Sequence, residues 1–129
     1  MIPLILLTHG GLCDSIYRTA ALLFGEQPNV HLISSANLAP KEISNRIGKI
    51  IDLPECREHG VLIAVDLKGG STWNVACKSA HENKHVAIIS GVNLPMLLSF
   101  FNRRESGNLN EVVDSLIDAG KRGIDKYMC

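Results

Sequence analysis

Ile2-Pro3-Leu4-Ile5-Leu6-Leu7-Thr8-His9-Gly10-Gly11 begins with an apolar run that stops abruptly at a hydroxyl, an imidazole and two glycines. The run is apolar at nearly every position rather than at alternate ones, which marks a strand covered on both faces, as in a parallel sheet. Asn29 to Ile33, Val61 to Val65 and Val86 to Ile89 share its Ile, Val and Leu character. Longer segments of helical period lie between these runs, so the chain reads as repeated βα units, an open α/β fold with a mainly parallel sheet. Right-handed crossovers leave few topologies for four parallel strands. The flavodoxin-like order 2-1-3-4 is expected, with helices on both faces and the switch point between strands one and three.

The first helix is expected to bury Ile16, Ala20, Leu23 and Phe24, with Asp14 as N-cap and Gly25 as its stop. Pro40 suits the first position of the second, whose stripe is Ile43, Ile47, Ile50 and Ile51 and whose far end Pro54 marks. A third is expected from Ser71 to Glu82, and a fourth from Pro95, carrying Met96, Leu97, Phe100 and Phe101. The last is expected from Asn110 to Lys126, with Val113, Leu116, Ile117 and Ile124 on a common side and interruptions at Gly120 and Gly123.

Length and composition bound what the chain can do. Its 129 residues, 46% hydrophobic and 20% charged, suit one domain over residues 1–129 that buries roughly two-thirds of its unfolded surface. Thirteen basic residues balance 13 acidic ones and none cluster beyond Arg103-Arg104, which argues against a nucleic-acid partner. Ile2 to Leu7 falls far short of the ~20 residues of a transmembrane helix, so a soluble, cytoplasmic chain without membrane insertion is expected. Cysteines 13, 56, 77 and 129 show no Cys-x-x-Cys spacing and are expected as free, mostly buried thiols.

In an open α/β sheet, ligands bind beyond the carboxyl ends of the strands near the switch point. Strand one ends in Thr8-His9-Gly10-Gly11, strand three in Asp66-Leu67-Lys68-Gly69-Gly70-Ser71, and strand four in Gly91-Val92-Asn93-Leu94-Pro95. The expected topology sends His9 and Asp66 out of adjacent strands at one edge. A carboxylate on Nδ1 would fix the imidazole tautomer, leave the Nε2 lone pair free, and stabilise the ring once Nε2 carries a substituent. Gly69-Gly70-Ser71 turns from loop into helix, where unpaired N–H groups, close backbone approach and a hydroxyl suit a phosphoryl group. No Gly-Lys-Ser/Thr completes a Walker A motif, and no Gly-x-Gly-x-x-Gly follows strand one, so a nucleotide is poorly supported.

Other residues carry less. Cys13, near a helix start, suggests a Cys/His nucleophile. Cys77, His81 and His85 recur every four residues without an evident fourth ligand, so no metal site and no cofactor is expected. Ser71 lacks the Gly-x-Ser-x-Gly setting of a nucleophile elbow, and its bland role is helix N-cap. His31 and His59 are given no function.

These blocks resemble the IIA domain of the mannose family of the bacterial phosphoenolpyruvate-dependent sugar phosphotransferase system. The resemblance covers essentially the whole chain. It rests on Thr8-His9-Gly10, on Asp66-Leu67-Lys68-Gly69-Gly70-Ser71-Thr72-Trp73-Asn74, on Gly91-Val92-Asn93-Leu94-Pro95-Met96-Leu97, and more weakly on Leu23-Phe24-Gly25-Glu26-Gln27-Pro28-Asn29-Val30. It implies that His9 accepts a phosphoryl group from phospho-HPr on Nε2 and passes it to a IIB domain. Asp66 would hydrogen-bond Nδ1 of His9, and Gly69, Gly70 and Ser71 would lie near the phosphoryl group. It also implies a homodimer, with an exchanged edge strand in the best-known cases. No IIB sequence follows residue 129, so the acceptor is expected on a separate chain, unless this chain is a fragment of a longer one.

Three features depart from the family pattern. Thr72 stands where proline usually follows Gly-Gly-Ser, Trp73 where phenylalanine is common, and Cys13 is unexpected beside the site. A regulatory module switched by His9 phosphorylation shares the chemistry with a different destination. The phosphotransfer subunit of a dihydroxyacetone kinase has a related fold but another motif after strand one. A flavodoxin-like ligand binder without catalysis is the alternative from another class.

Overall fold

The computed structural model describes residues 1–128, so the expected free thiol at Cys129 lies outside the described residues. Among them four strands form one parallel sheet: β1 (Leu4–Thr8), β2 (Val30–Ser34), β3 (Val61–Val65) and β4 (Val86–Ile89), in the order β2-β1-β3-β4. This is the expected order. The helices are α1 (Leu12–Phe24), α2 (Pro40–Ile51), α3 (Pro54–His59), α4 (Gly70–Glu82), α5 (Leu94–Arg103) and α6 (Leu109–Arg122).

Alternate strand residues point to opposite faces, which is why near-continuous apolar runs were needed. Leu4, Leu6, Leu62, Ala64 and Ile89 pack with Cys13 and Ala20 of α1, the Met96–Phe101 stripe of α5, and Val112 and Leu116 of α6. Ile5, Leu7, Ile33, Ile63, Val65 and Val86 pack on the other face with Ile43, Ile47 and Ile51 of α2, Cys56 of α3 and Ala76 of α4. Cys13, Cys56 and Cys77 are free thiols, the first two buried.

Several helix expectations need correction. α1 starts two residues before Asp14, which sits in its first turn while Gly11 takes the cap position. The Oγ1 of buried Thr8 accepts the Cys13 N–H at 2.8 Å, so a hydroxyl from the preceding strand performs the capping task. Ile16 and Ala20 face the core as expected, joined by Cys13 and Tyr17, but Leu23 is 63% and Phe24 42% exposed. Pro54 does not merely end α2 but opens α3, a single turn and a half too short to show a period. α6 ends at Arg122, leaving Ile124 outside it and exposed, and its buried positions are Val112, Leu116 and Gly120.

Gly120 does more than interrupt a periodic pattern. A Cβ there would lie 2.5 Å from Met96 Cγ and 3.2 Å from Asn93 Nδ2, so the missing side chain lets α6 sit against the start of α5. Asn93 itself caps α5, its Oδ1 accepting the Met96 N–H at 3.0 Å. Gly120→Ala should therefore destabilise by about 1–3 kcal/mol through overpacking. A solvated helix position would instead gain from the same change. Thermal unfolding of the variant beside wild type decides the sign.

His31 on β2 lies on the α2–α3 side with its Nε2 buried and unpartnered among the described residues. Burial lowers its pKa below the ordinary 6.5, and the weaker attraction of Glu55 only partly opposes that. The unfolded chain thus binds this proton more readily than the folded one. Stability is full above pH 6.5 and falls as pH drops through the folded value. Urea midpoints at pH 7.5 and pH 5 should drop further for wild type than for His31→Leu.

At the amino-terminal edge, Arg104 is 1% exposed. Its Nη2 donates to the Pro28 carbonyl at 2.7 Å and Gln27 Oε1 at 3.0 Å, and its guanidinium lies over the Phe100 and Phe101 rings. Tyr17 Oη accepts the Gln27 N–H at 3.0 Å. These bonds give the Gly25–Asn29 loop its shape and keep the turn into β2 fixed, at the end of the sheet away from His9.

Candidate functional site

β1 and β3 are neighbours in register, so the residues just past their carboxyl ends emerge side by side. His9 follows Thr8 directly, and Asp66 follows Val65 directly. The structure brings these two together: His9 Nδ1 lies 2.9 Å from Asp66 Oδ2 and 3.1 Å from Oδ1, and the His9 backbone N–H donates to Oδ2 at 3.0 Å. Asp66 Oδ1 also accepts the N–H of Leu67 at 3.0 Å. The Asp66 loop is laced to the β4 exit, with Gly91 N–H donating to the Asp66 carbonyl and Val92 N–H to that of Val65, both at 3.1 Å.

The electrostatics follow from this geometry. Burial pushes the Asp66 carboxyl up, but hydrogen bonds from the His9 backbone and ring, together with the His9 charge, outweigh it and hold the carboxyl below its ordinary value. Asp66 is then ionised at neutral pH and can only accept. The proton of a neutral His9 ring accordingly resides on Nδ1, and the lone pair on Nε2. The imidazole is 56% exposed and the carboxylate side chain 11%, so an accessible nitrogen stands on a sheltered base.

α4 starts three residues beyond the Asp66 loop's Leu67. Gly69 is its N-cap residue at φ 95° and Gly70 its first residue at φ 81°, both conformations that favour glycine. No side chain caps the helix, so the first-turn N–H groups and the positive end of a 13-residue helix stay open at the same sheet edge. Ser71 is the second helical residue, which corrects its expected role as N-cap. It is exposed and makes no hydrogen bond to His9 or Asp66. Thr72, in the place of the family's proline, is buried.

The competing candidates separate cleanly. Cys13 is 1% exposed in the core on the α1 side and offers no accessible thiolate. His85 Nε2 pairs with the Ile51 carbonyl at 2.9 Å, and no group of three or more metal-ligating side chains assembles among the described residues. Two further polar residues border the site, Thr8 of the quoted strand end and Ser34, which the sequence did not single out. Thr8 caps α1, and Ser34, the register partner of Thr8 at the end of β2, donates its hydroxyl to the Gly10 carbonyl at 2.7 Å. Only the strand register, not a motif, could have flagged Ser34.

The comparisons with known proteins agree with this architecture. The family EIIA-man, described as "PTS system fructose IIA component", matches residues 3–117. The "PTS system mannose-specific EIIAB component" of Escherichia coli (strain K12) is 31% identical over 126 residues, which cover 95% of this chain but 38% of that protein. The "PTS system fructose-specific EIIA component" of Bacillus subtilis (strain 168) is 32% identical over 120 residues, 90% of this chain and 80% of the relative. The crystal structure of phosphotransferase system component EIIA from Streptococcus agalactiae superposes with a TM-score of 0.88 at 27% identity, covering 98% of this chain and 97% of that one. A family match over almost the whole chain, relatives of the same type and a solved EIIA of the same fold lead to one conclusion: the chain belongs to the mannose-type IIA family of the sugar phosphotransferase system.

Proposed function

We propose that this chain is a phosphoryl carrier in sugar uptake, working in the cytoplasm through a phosphohistidine at His9. The observation that carries the reading is the His9–Asp66 contact at 2.9 Å, which leaves an exposed imidazole nitrogen with a free lone pair. In the forward step the Nε2 lone pair attacks the phosphorus of phospho-HPr. The bond between phosphorus and the donor atom breaks, and its electron pair stays with HPr. The ring then carries positive charge, with its proton still on Nδ1, and the Asp66 carboxylate beside that proton offsets it. Phosphoryl oxygens are received by the open N–H groups at Gly69, Gly70 and Ser71, whose dipole suits the developing charge. Transfer to a IIB domain runs the same step with the imidazole as leaving group. No metal or cofactor takes part.

A homodimer belongs to the same reading. The outer edge of β4 pairs with no strand among the described residues. Beside it Ile88, Ile89 and Ile124 line a cleft of about 440 Å³, and Tyr127 and Met128 are exposed nearby in sequence. A strand from a second copy would cover that edge.

The test is to incubate the purified chain with phosphoenolpyruvate, Enzyme I and HPr and to record its intact mass. An acid-labile gain of one phosphoryl group is expected, mapping to the peptide that holds His9. No gain with phosphorylated HPr present would refute the carrier reading.

A further inference from the structure

We propose that Ser34 is a positioning residue for His9, acting through the Gly10 carbonyl. The inference rests on the carrier reading for its consequence, but its geometry stands separately. β1 and β2 pair through their last residues, Thr8 with Ser34, and the ladder continues one bond further, from the Ser35 N–H to the Thr8 carbonyl at 2.8 Å. Beyond that point the chain leaves the sheet. Gly10 turns away at φ 55° and its carbonyl has no ladder donor left. The Ser34 hydroxyl supplies one at 2.7 Å, while its own oxygen accepts the Ala36 N–H at 3.3 Å, so the hydroxyl proton is directed at Gly10 rather than free to rotate.

The His9–Gly10 turn is thereby held from three sides. β2 holds the Gly10 carbonyl through Ser34, the β3 exit holds the His9 N–H through Asp66, and the capped start of α1 follows through Thr8 and Cys13. His9 presents two donors to one carboxylate, its backbone N–H and its Nδ1–H, and both fit only while the backbone on either side of His9 keeps its course, which the Gly10–Gly11 peptide unit, held at its carbonyl by Ser34, fixes on the carboxyl-terminal side. A Cβ at Gly10 or Gly11 would meet nothing within 4 Å, so no neighbour covers either glycine on its side-chain side, and the hydrogen bonds hold the turn there. Without the Ser34 hydroxyl, the Gly10–Gly11 peptide can rotate, the backbone of His9 loses its restraint on that side, the ring leaves Asp66 for part of the time, and the Nε2 lone pair is no longer guaranteed. Small errors in a reacting group's placement cost rate out of proportion to stability.

The experiment compares wild type, Ser34→Ala and Ser34→Thr in three measurements: single-turnover transfer from phospho-HPr, ¹⁵N signals of the His9 ring, and thermal unfolding. Ser34→Ala should transfer about three- to tenfold more slowly. Its ring signals should move toward a mixture of tautomers while its unfolding stays near wild type, and Ser34→Thr should restore both rate and signals. Wild-type rate and unchanged ring signals in Ser34→Ala would overturn the proposal, as would a loss explained by unfolding that threonine does not repair. If wild type takes no phosphoryl group at all, the carrier reading fails alone, and the ring signals still decide whether Ser34 positions His9.

Discussion

His9→Ala should abolish the acid-labile mass gain completely, whatever the concentration of phospho-HPr. The expectation follows from elimination at the site as much as from the imidazole itself. Cys13, the nearest alternative nucleophile in sequence, is buried in the core, and the Ser71 hydroxyl has no general base bonded to it. Asp66 is a weak nucleophile with its oxygens occupied by N–H donors. The variant should remain folded, because the His9 ring is more than half exposed and Asp66 keeps the bonds from the His9 and Leu67 N–H groups, so losing the ring bond should cost no more than about 1–2 kcal/mol. Intact mass read beside a thermal melt separates lost chemistry from lost fold. A variant that still takes one phosphoryl group would move the nucleophile elsewhere and dissolve the proposed site.

Asp66→Ala is the second large effect, and it is one of rate rather than capacity. The ring would lose the acceptor that holds the proton on Nδ1, so part of the population would carry it on Nε2, where it blocks attack. The phosphorylated ring would also lose its counter-charge. Misassigning the tautomer of a catalytic histidine can cost several orders of magnitude, so a slowing on the order of a hundredfold or more is expected in single-turnover transfer. Asp66→Asn, of the same size, should be similarly slow, because its amide can donate to Nδ1 and force the wrong tautomer. Wild-type rates in either variant would refute the role. Because the Asp66 carboxyl lies below its ordinary value, its protonation should not limit transfer between pH 5 and pH 8.

Sequence reasoning went furthest where burial on both faces left its mark. The four apolar runs became β1 to β4 within a few residues, and the flavodoxin-like order, expected among the few that right-handed crossovers leave, is the observed one. With that order, the polar ends of strands one and three place His9 beside Asp66, as the structure does. Helix faces were less legible. Leu23 and Phe24 look like a buried end to α1, yet they are 63% and 42% exposed, since the face toward the core runs through Cys13, Ile16, Tyr17 and Ala20. The caps of α1 and α4 could not be read because they depend on a strand hydroxyl and on glycine geometry rather than on a local Ser, Asp or Asn. Gly120 looked like a break in periodicity when it marks a close approach, a distinction that only the facing Met96 reveals. Ser34 carries no motif at all, and its bond exists because two strands end in register.

The single carboxylate of Asp66 accepts from both the ring and the main chain of the same residue. When the ring gains charge, its grip on the carboxylate tightens and competes with the amide for the same oxygen. If His9 carries the phosphoryl group as proposed, the His9 amide proton should therefore shift with loading. Its resonance should report, in a label-free titration, what fraction of His9 rings is phosphorylated.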